Sequence, residues 1–240
     1  MRLDRVVLLA AHTARSQAYL QAMLAAGLQP SSVITLGSAP APHSVPGTAA
    51  RYWQGVLLPA TNESLDTICT RANIPVTACQ SDDANSPETE AAIRNAHADV
   101  VIYSGRGGQL VAAHMLAIGP RFLHMHSGWL PAYRGSTTLY YALLNGEQPA
   151  VSALFLDEQI DTGPVLMRRH YAPPHSGMNV DSLYDSAIRA DMLVRVLQEY
   201  VGSGQWPRAA DPSGESSRTY YVIHPVLKHL ALLGLHSEAA

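Results

Sequence analysis

Arg5-Val6-Val7-Leu8-Leu9-Ala10 is the stretch that sets the fold class. An apolar run without polar alternation describes a strand covered on both faces, as in a parallel sheet layered between helices. Residues 15–26 follow with Tyr19, Leu20, Met23 and Leu24 at helical spacing, and Gly27 supplies a C-cap. Residues 32–36 then read as a second strand. Together they form a β-α-β unit, whose crossover is right-handed by rule.

Outward from that unit, residues 37–59 are rich in Gly, Pro and Ala and read as a long loop. Residues 64–72 read as a helix and 75–78 as a strand. Ser86-Pro87-Glu88 opens another helix, with Ser at the N-cap, Pro at the first position and acid in the first turn. Residues 99–103 form a strand, followed by the Gly-rich turn at Gly105–Gly108, a helix to about residue 118, and a strand over 122–126. The second half departs from this alternation. Residues 137–144 are helical, and 151–156 and 165–171 are strands joined by a turn short enough for an antiparallel hairpin. Residues 180–200 form a long amphipathic helix, 202–217 are irregular, and 220–233 read as a strand end and a last helix. In Tyr220–Pro225, packing is expected rather than a pocket wall.

The expected fold class is α/β: a doubly wound, mostly parallel sheet with an antiparallel hairpin in the second half. The expected division is a domain over residues 1–205 and a C-terminal extension over 206–240 packed on it. Ligands of such sheets sit beyond the strands' C-terminal ends, where Gly105–Gly108 and His126–Gly135 fall.

Composition narrows the function. The 240 residues carry a formal charge of -3 and only 15% charged side chains. No Lys/Arg stripe is present, so a nucleic-acid partner is not expected. The early apolar run is too short for a membrane span and follows charged residues, so neither a membrane partner nor a signal peptide is expected. Cys69 and Cys79 match no metal spacing and read as free buried thiols of a reducing, cytoplasmic compartment. Histidine is the outlier, with 11 copies.

Two of those histidines lie in Leu123-His124-Met125-His126-Ser127-Gly128-Trp129-Leu130-Pro131. Side chains alternate along a strand, so His124 and His126 share a face. They could be core histidines satisfied by backbone, or chemical groups at a strand end. Tyr133-Arg134-Gly135-Ser136 follows, with Ser136 placed to cap the next helix. Farther on, Asp157-Glu158-Gln159-Ile160-Asp161-Thr162-Gly163-Pro164 could hold the Asp161 carboxylate against a histidine. His124, His126 and Asp161 also match a two-His, one-carboxylate metal face. Nothing else in the sequence supports a metal, and none is expected.

The ordered set His124-x-His126-x-Gly-x-Leu130-Pro131-x-Tyr133-Arg134-Gly135, Asn145-Gly146-Glu147 and Ile160-Asp161-Thr162-Gly163-Pro164 resembles 10-formyltetrahydrofolate-dependent formyltransferases. That family includes methionyl-tRNA and glycinamide ribonucleotide formyltransferases, and the resemblance covers residues 95–175. It implies a Rossmann-like formyltransferase fold and a catalytic Asn-His-Asp trio. His126 and Asp161 match the last two, and His124 stands where the family has Asn. By that resemblance His126 is general acid/base, Asp161 its partner, and His124, in neutral form, the oxyanion donor. The donor 10-formyltetrahydrofolate would bind against Arg106, Gly107, Gly108, Gln109 and Leu110, and against Asp157, Gln159 and Ile160. His12, Thr13 and Arg15 are candidates for the acceptor's polar group, because this turn lacks the glycines that hold a phosphate in the glycinamide ribonucleotide enzymes. The stretch after the hairpin is short and not basic, which disfavours tRNA. The acceptor is expected to be the amine or hydroxylamine of a small metabolite, and a homodimer is allowed. Two other readings stay open: hydrolysis to formate and tetrahydrofolate, and a catalytically silent folate-binding protein.

Overall fold

The apolar run falls inside a strand, β1 (Arg2–Ala11), whose alternate side chains feed two different cores. A computed structural model of the chain describes residues 1–40, 47–210 and 216–235. After β1 come α1 (Ala14–Ala25), β2 (Gln29–Leu36), the short strands β3 (Arg51–Trp53) and β4 (Val56–Leu58), α2 (Leu65–Ala72), β5 (Val76–Cys79) and α3 (Pro87–Asn95). The chain continues through β6 (Val100–Ser104), α4 (Ala113–Leu116), β7 (Arg121–His126), β8 (Arg134–Gly135) and α5 (Thr138–Leu144). It ends with β9 (Ala150–Phe155), β10 (Val165–His170), α6 (Asp185–Ser203), β11 (Thr219–Tyr220) and α7 (Pro225–Leu233).

Seven strands form one sheet in the order β10-β9-β7-β6-β1-β2-β5. The pairs from β5 to β7 are parallel, and β9 and β10 are antiparallel additions. On one face, Leu8 and Ala10 of β1 pack with Leu123 and Met125 of β7 and with Ile188, Leu193, Val196 and Leu197 of α6. On the other, Val7 and Leu9 meet Val101, Tyr103, Phe122 and Ile93. Burying each such aliphatic side chain contributes about 1.5–3 kcal/mol, as an upper range. His124 and His126 share the parity of Phe122 and so emerge on the second face.

Local chemistry explains the helix starts. Ser86 and Ser64 accept from Thr89 and Thr67 backbone N–H groups, and Pro87 follows Ser86 at the first helical position.

The sequence reading departs from the structure in a few places. Within 37–59, β3 and β4 form a small hairpin about Gln54-Gly55, both with positive φ, a turn that needs this conformation; residues 41–46 of that loop lie outside the described residues. The helix after Gly108 shrinks to a single turn, α4. A π-helical turn, Val180–Tyr184, precedes α6. Ser136 caps nothing: Thr137 is the N-cap residue of α5, at φ 53, and its hydroxyl accepts from Ile223 N–H at 2.9 Å. In 220–225, Tyr220 stacks on Tyr133 and Ile223 is buried, but Tyr221 and Val222 are exposed rather than packed. In the irregular stretch 202–217, Trp206 stacks on Tyr200, while residues 211–215 lie outside the described residues.

Candidate active site

The strand β7 delivers His126, and the turn after it determines what the ring meets. Gly128 N–H bonds back to His126 C=O at 3.0 Å, and Tyr133 N–H donates to Trp129 C=O at 2.9 Å. That path returns the Tyr133 carbonyl to His126 Nε2 at 2.6 Å. Buried Ser152 of β9 clamps the turn, donating to Gly128 C=O at 2.7 Å and accepting from Leu130 N–H at 3.0 Å. Gly128 is required sterically: a Cβ there would lie 2.7 Å from the Tyr133 oxygen and 2.8 Å from His126 Nε2. Asn145, from the second motif, donates to the Tyr133 hydroxyl at 2.8 Å and ties that loop to α5.

The turn between β9 and β10 brings Asp161 to the same place. Gly163 permits the approach, because a Cβ there would lie 1.8 Å from Phe155 O. Asp161 has φ 55, a left-handed conformation that Asp tolerates better than most residues. Its Oδ2 accepts Gly135 N–H at 2.8 Å and stands 3.3 Å from His126 Nδ1. Both His126 and Asp161 are buried.

The hydrogen-bond geometry assigns protons. A carbonyl only accepts, so His126 Nε2 carries hydrogen toward Tyr133, and Nδ1 facing Asp161 is the atom that gains and loses a proton. Burial pulls the His126 pKa below the usual imidazole range, against the opposing pull of the Asp161 charge and the Tyr133 carbonyl. His124 lies half-buried at the rim, its Nδ1 buried with no hydrogen-bond partner and its ring centroid 6.0 Å from that of Tyr103. Burial, then Arg189 and Arg15, hold its pKa well below the ordinary value, so the ring is neutral at pH 7.

These two arginines belong to a half-buried polar layer that sequence patterns did not reveal as a unit, although Arg15 was a candidate for the acceptor's polar group. Arg189 of α6 donates to Asp185 at 2.9 Å and to Met125 C=O at 2.7 Å, and Ser127 donates to the other Asp185 oxygen. Arg15 bonds to Ser104 Oγ at 3.2 Å and to Gly105 C=O. Asp185 and Arg189 are spaced i,i+4, which in a sequence reads as an ordinary surface pair. Of the residues expected to meet an acceptor, Thr13 caps α1 and Arg15 points into this layer.

The two expected folate segments behave differently from each other. Arg106 pairs with Asp82 at 3.3 Å, and Gln109 donates to Asp82 C=O and Asp83, so both side chains fasten the loop to its neighbour. Gln109 Oε1 remains buried and unpaired. Gly107 and Gly108 face open space, and Leu110 is exposed. In the second segment, Asp157 accepts from Gln159 N–H and Thr162 Oγ1 and so caps its own turn, leaving Ile160 exposed. Open backbone and exposed Leu110 and Ile160 fit a flat, partly apolar ring with amide-like edges.

His124, His126 and Asp161 bring three ligand atoms within 4.8 Å of one another, a spacing that could hold a divalent ion. The neighbouring guanidiniums of Arg15 and Arg189 oppose such a charge.

The seven-stranded, mostly parallel sheet has the architecture of the α/β formyltransferases. The formyl transferase family model matches residues 5–191, well beyond the motif region, and the chain belongs to that family. A methionyl-tRNA formyltransferase of Synechocystis sp. is 32% identical over 167 residues, covering 63% of this chain and 47% of its own length. One from Halorhodospira halophila is 35% identical over 118 residues, covering 47% of this chain and 36% of its own. The chain thus spans half or less of the length of these curated relatives. Among solved structures, a sugar N-formyltransferase from a Shewanella species superposes with TM-score 0.57 at 14% identity, over 97% of this chain and 88% of that one. An N-formyltransferase from Helicobacter canadensis, in complex with folinic acid and dTDP-3-aminofucose, gives 0.56 at 14% identity, over 91% and 71%. Glycinamide ribonucleotide transformylase 1 from Symbiobacterium toebii gives 0.55 at 20% identity, over 82% and 88%. At these identities the likeness concerns the fold. No helix among the described residues is long and apolar enough to cross a membrane.

Proposed function

We propose that this protein transfers a formyl group from 10-formyltetrahydrofolate to the amine or hydroxylamine of a small metabolite. The observation that carries this reading is the clamped His126, with Nε2 on the Tyr133 carbonyl and Nδ1 against Asp161, beside the partnerless Nδ1 of His124. The donor supplies an activated formyl carbonyl that lies across Gly107, Gly108 and Leu110 on one side and Ile160 on the other. Neutral His126 takes the proton that the attacking amine must lose, at Nδ1, where Asp161 stabilises the imidazolium. The same proton then goes to the departing folate nitrogen. Neutral His124 is the donor to the formyl oxygen as negative charge develops there, the role that Asn plays in the family, which requires the tautomer protonated on Nδ1 rather than the one that donates to the Tyr103 backbone carbonyl. Half-buried Arg15 and Arg189 favour this arrangement twice, by keeping His124 neutral and by adding positive potential near the oxyanion.

The test is donor turnover by purified protein with and without a panel of small amines. Turnover that requires an amine supports transfer. Formate release at the same rate without any amine would establish hydrolysis instead, and folate binding with no turnover would establish a silent binding protein.

A further inference from the structure

The loop that touches both members of the His–Asp pair is itself held by a distant piece of chain. Tyr133 gives its C=O to His126 Nε2 at 2.6 Å, and Gly135 gives its N–H to Asp161 Oδ2 at 2.8 Å. The loop runs into β8, whose strand partner among the described residues is β11. That partner lies outside residues 5–191, the stretch that the family model matches.

Backbone N–H groups point to alternate edges along a strand. Arg134 N–H donates to Arg218 C=O and Ser136 N–H to Tyr220 C=O, each at 2.9 Å. The residue between them must therefore turn its N–H to the opposite edge, where Asp161 stands. A Cβ on Gly135, at φ 97, would collide with Tyr220 C=O, so only glycine lets the two backbones meet this closely. Side chains complete the hold. The Tyr220 ring stacks on Tyr133, with 5.1 Å between centroids and 8° between planes, and tilts against Tyr141 of α5 at 4.6 Å. Thr137, at the start of α5, donates to Tyr221 C=O at 3.3 Å and accepts from Ile223 N–H at 2.9 Å.

We propose that residues 218–223 are a brace that positions the catalytic pair, with Tyr220 as its positioning residue. The brace touches no reacting atom. It acts through the Tyr133 carbonyl, which orients the His126 ring, and through the Gly135 N–H, which orients the Asp161 carboxylate. Its effect on turnover rests on the formyl-transfer reading, whereas its hold on His126 does not.

The test compares Tyr220→Ala, Tyr220→Phe and Leu233→Ala, the last at an exposed residue of α7 outside the brace, by histidine ¹⁵N–¹H spectra and by steady-state kinetics. In Tyr220→Ala the Nε2 proton of His126 should exchange with water about 10-fold or more faster than in the wild type. Its kcat should fall about 10-fold or more while KM for the donor stays within about threefold, because orientation rather than binding is lost. Tyr220→Phe keeps the stacking ring and should restore both, and Leu233→Ala should match the wild type. Where circular dichroism shows Tyr220→Ala unfolded, Tyr220→Leu, which fills the space without a ring, takes its place with the same expected changes. A folded variant with wild-type exchange and kcat, a rise in KM with kcat unchanged, a loss that Tyr220→Phe does not restore, or an equal loss in Leu233→Ala would overturn the proposal. Faster exchange in Tyr220→Ala in a protein that formylates no amine would sink the formyl-transfer reading and leave the brace standing.

Discussion

Replacing Gly128 with alanine adds one methyl group at the point where the account is most sensitive to geometry. Gly128 is not among the positive-φ residues, so its backbone accepts alanine, and the usual consequence would be a gain of about 0.4–1 kcal/mol from a stiffer unfolded chain. Here sterics oppose that gain. The new carbon would lie 2.7 Å from the Tyr133 carbonyl oxygen, 2.8 Å from His126 Nε2 and 3.0 Å from Tyr133 Cβ. Relief requires the Tyr133 loop and the His126 ring to separate by several tenths of an ångström, which breaks their 2.6 Å hydrogen bond. A buried carbonyl and a buried ring N–H left unpaired cost about 1–3 kcal/mol, so the net should be destabilising. A ring displaced by that order loses about 100-fold in rate, since catalytic alignment tolerates little error. Urea unfolding gives the first quantity and donor turnover the second. The histidine ¹⁵N spectrum reports whether His126 still carries its proton on Nε2. An alanine variant with unchanged stability, turnover within threefold of wild type and the same His126 tautomer would refute the clamp.

Other expectations follow from the same geometry. His124→Ala should lower turnover by about 10²–10³ while His124→Asn stays within about tenfold of wild type, since either imidazole or amide supplies the donor. Asp161→Asn removes the charge that supports the imidazolium; turnover should fall by about 10⁴, and the inflection on the acid side of the pH–rate profile should move to lower pH, read by kcat/KM between pH 4 and 8. Folding stability should decline as pH drops below about 6.5, because the buried His124 and His126 have pKa values below those of the unfolded chain and the unfolded state takes up more protons; urea titrations at pH 5 and 7 measure this, and His124→Asn should flatten the slope. Arg189→Met leaves half-buried Asp185 without its cation, though still bonded to Ser127, and should cost about 1–3 kcal/mol by the same unfolding assay.

The sheet was legible because its strands are covered on both faces, and the apolar run at residues 5–10 carries that fact in its composition. The shared face of His124 and His126 was legible through spacing, two positions apart on a strand, whereas the meeting of His126 with Asp161 was legible only through the family resemblance, since the close approach of the Gly163 backbone to Phe155 O shows only in three dimensions. The β3–β4 hairpin was not, since Gln54-Gly55 lacks the Asn-Gly or Asp-Gly signature and its strands are three residues each. Asp185 and Arg189 escaped, and Arg15 was expected at the acceptor rather than beside His124, because residues 170 or more positions apart meet only through the crossing of α1 and α6, which no local pattern encodes.

The most direct measurement follows a ¹³C-labelled formyl group from 10-formyltetrahydrofolate into a metabolite extract, with wild-type protein and with His126→Ala. The account predicts one new compound, heavier than an amine in the extract by a single labelled carbonyl unit, formed by the wild type and absent with the variant. Label found only as free formate, or an equal yield of the formylated compound from His126→Ala, would contradict it.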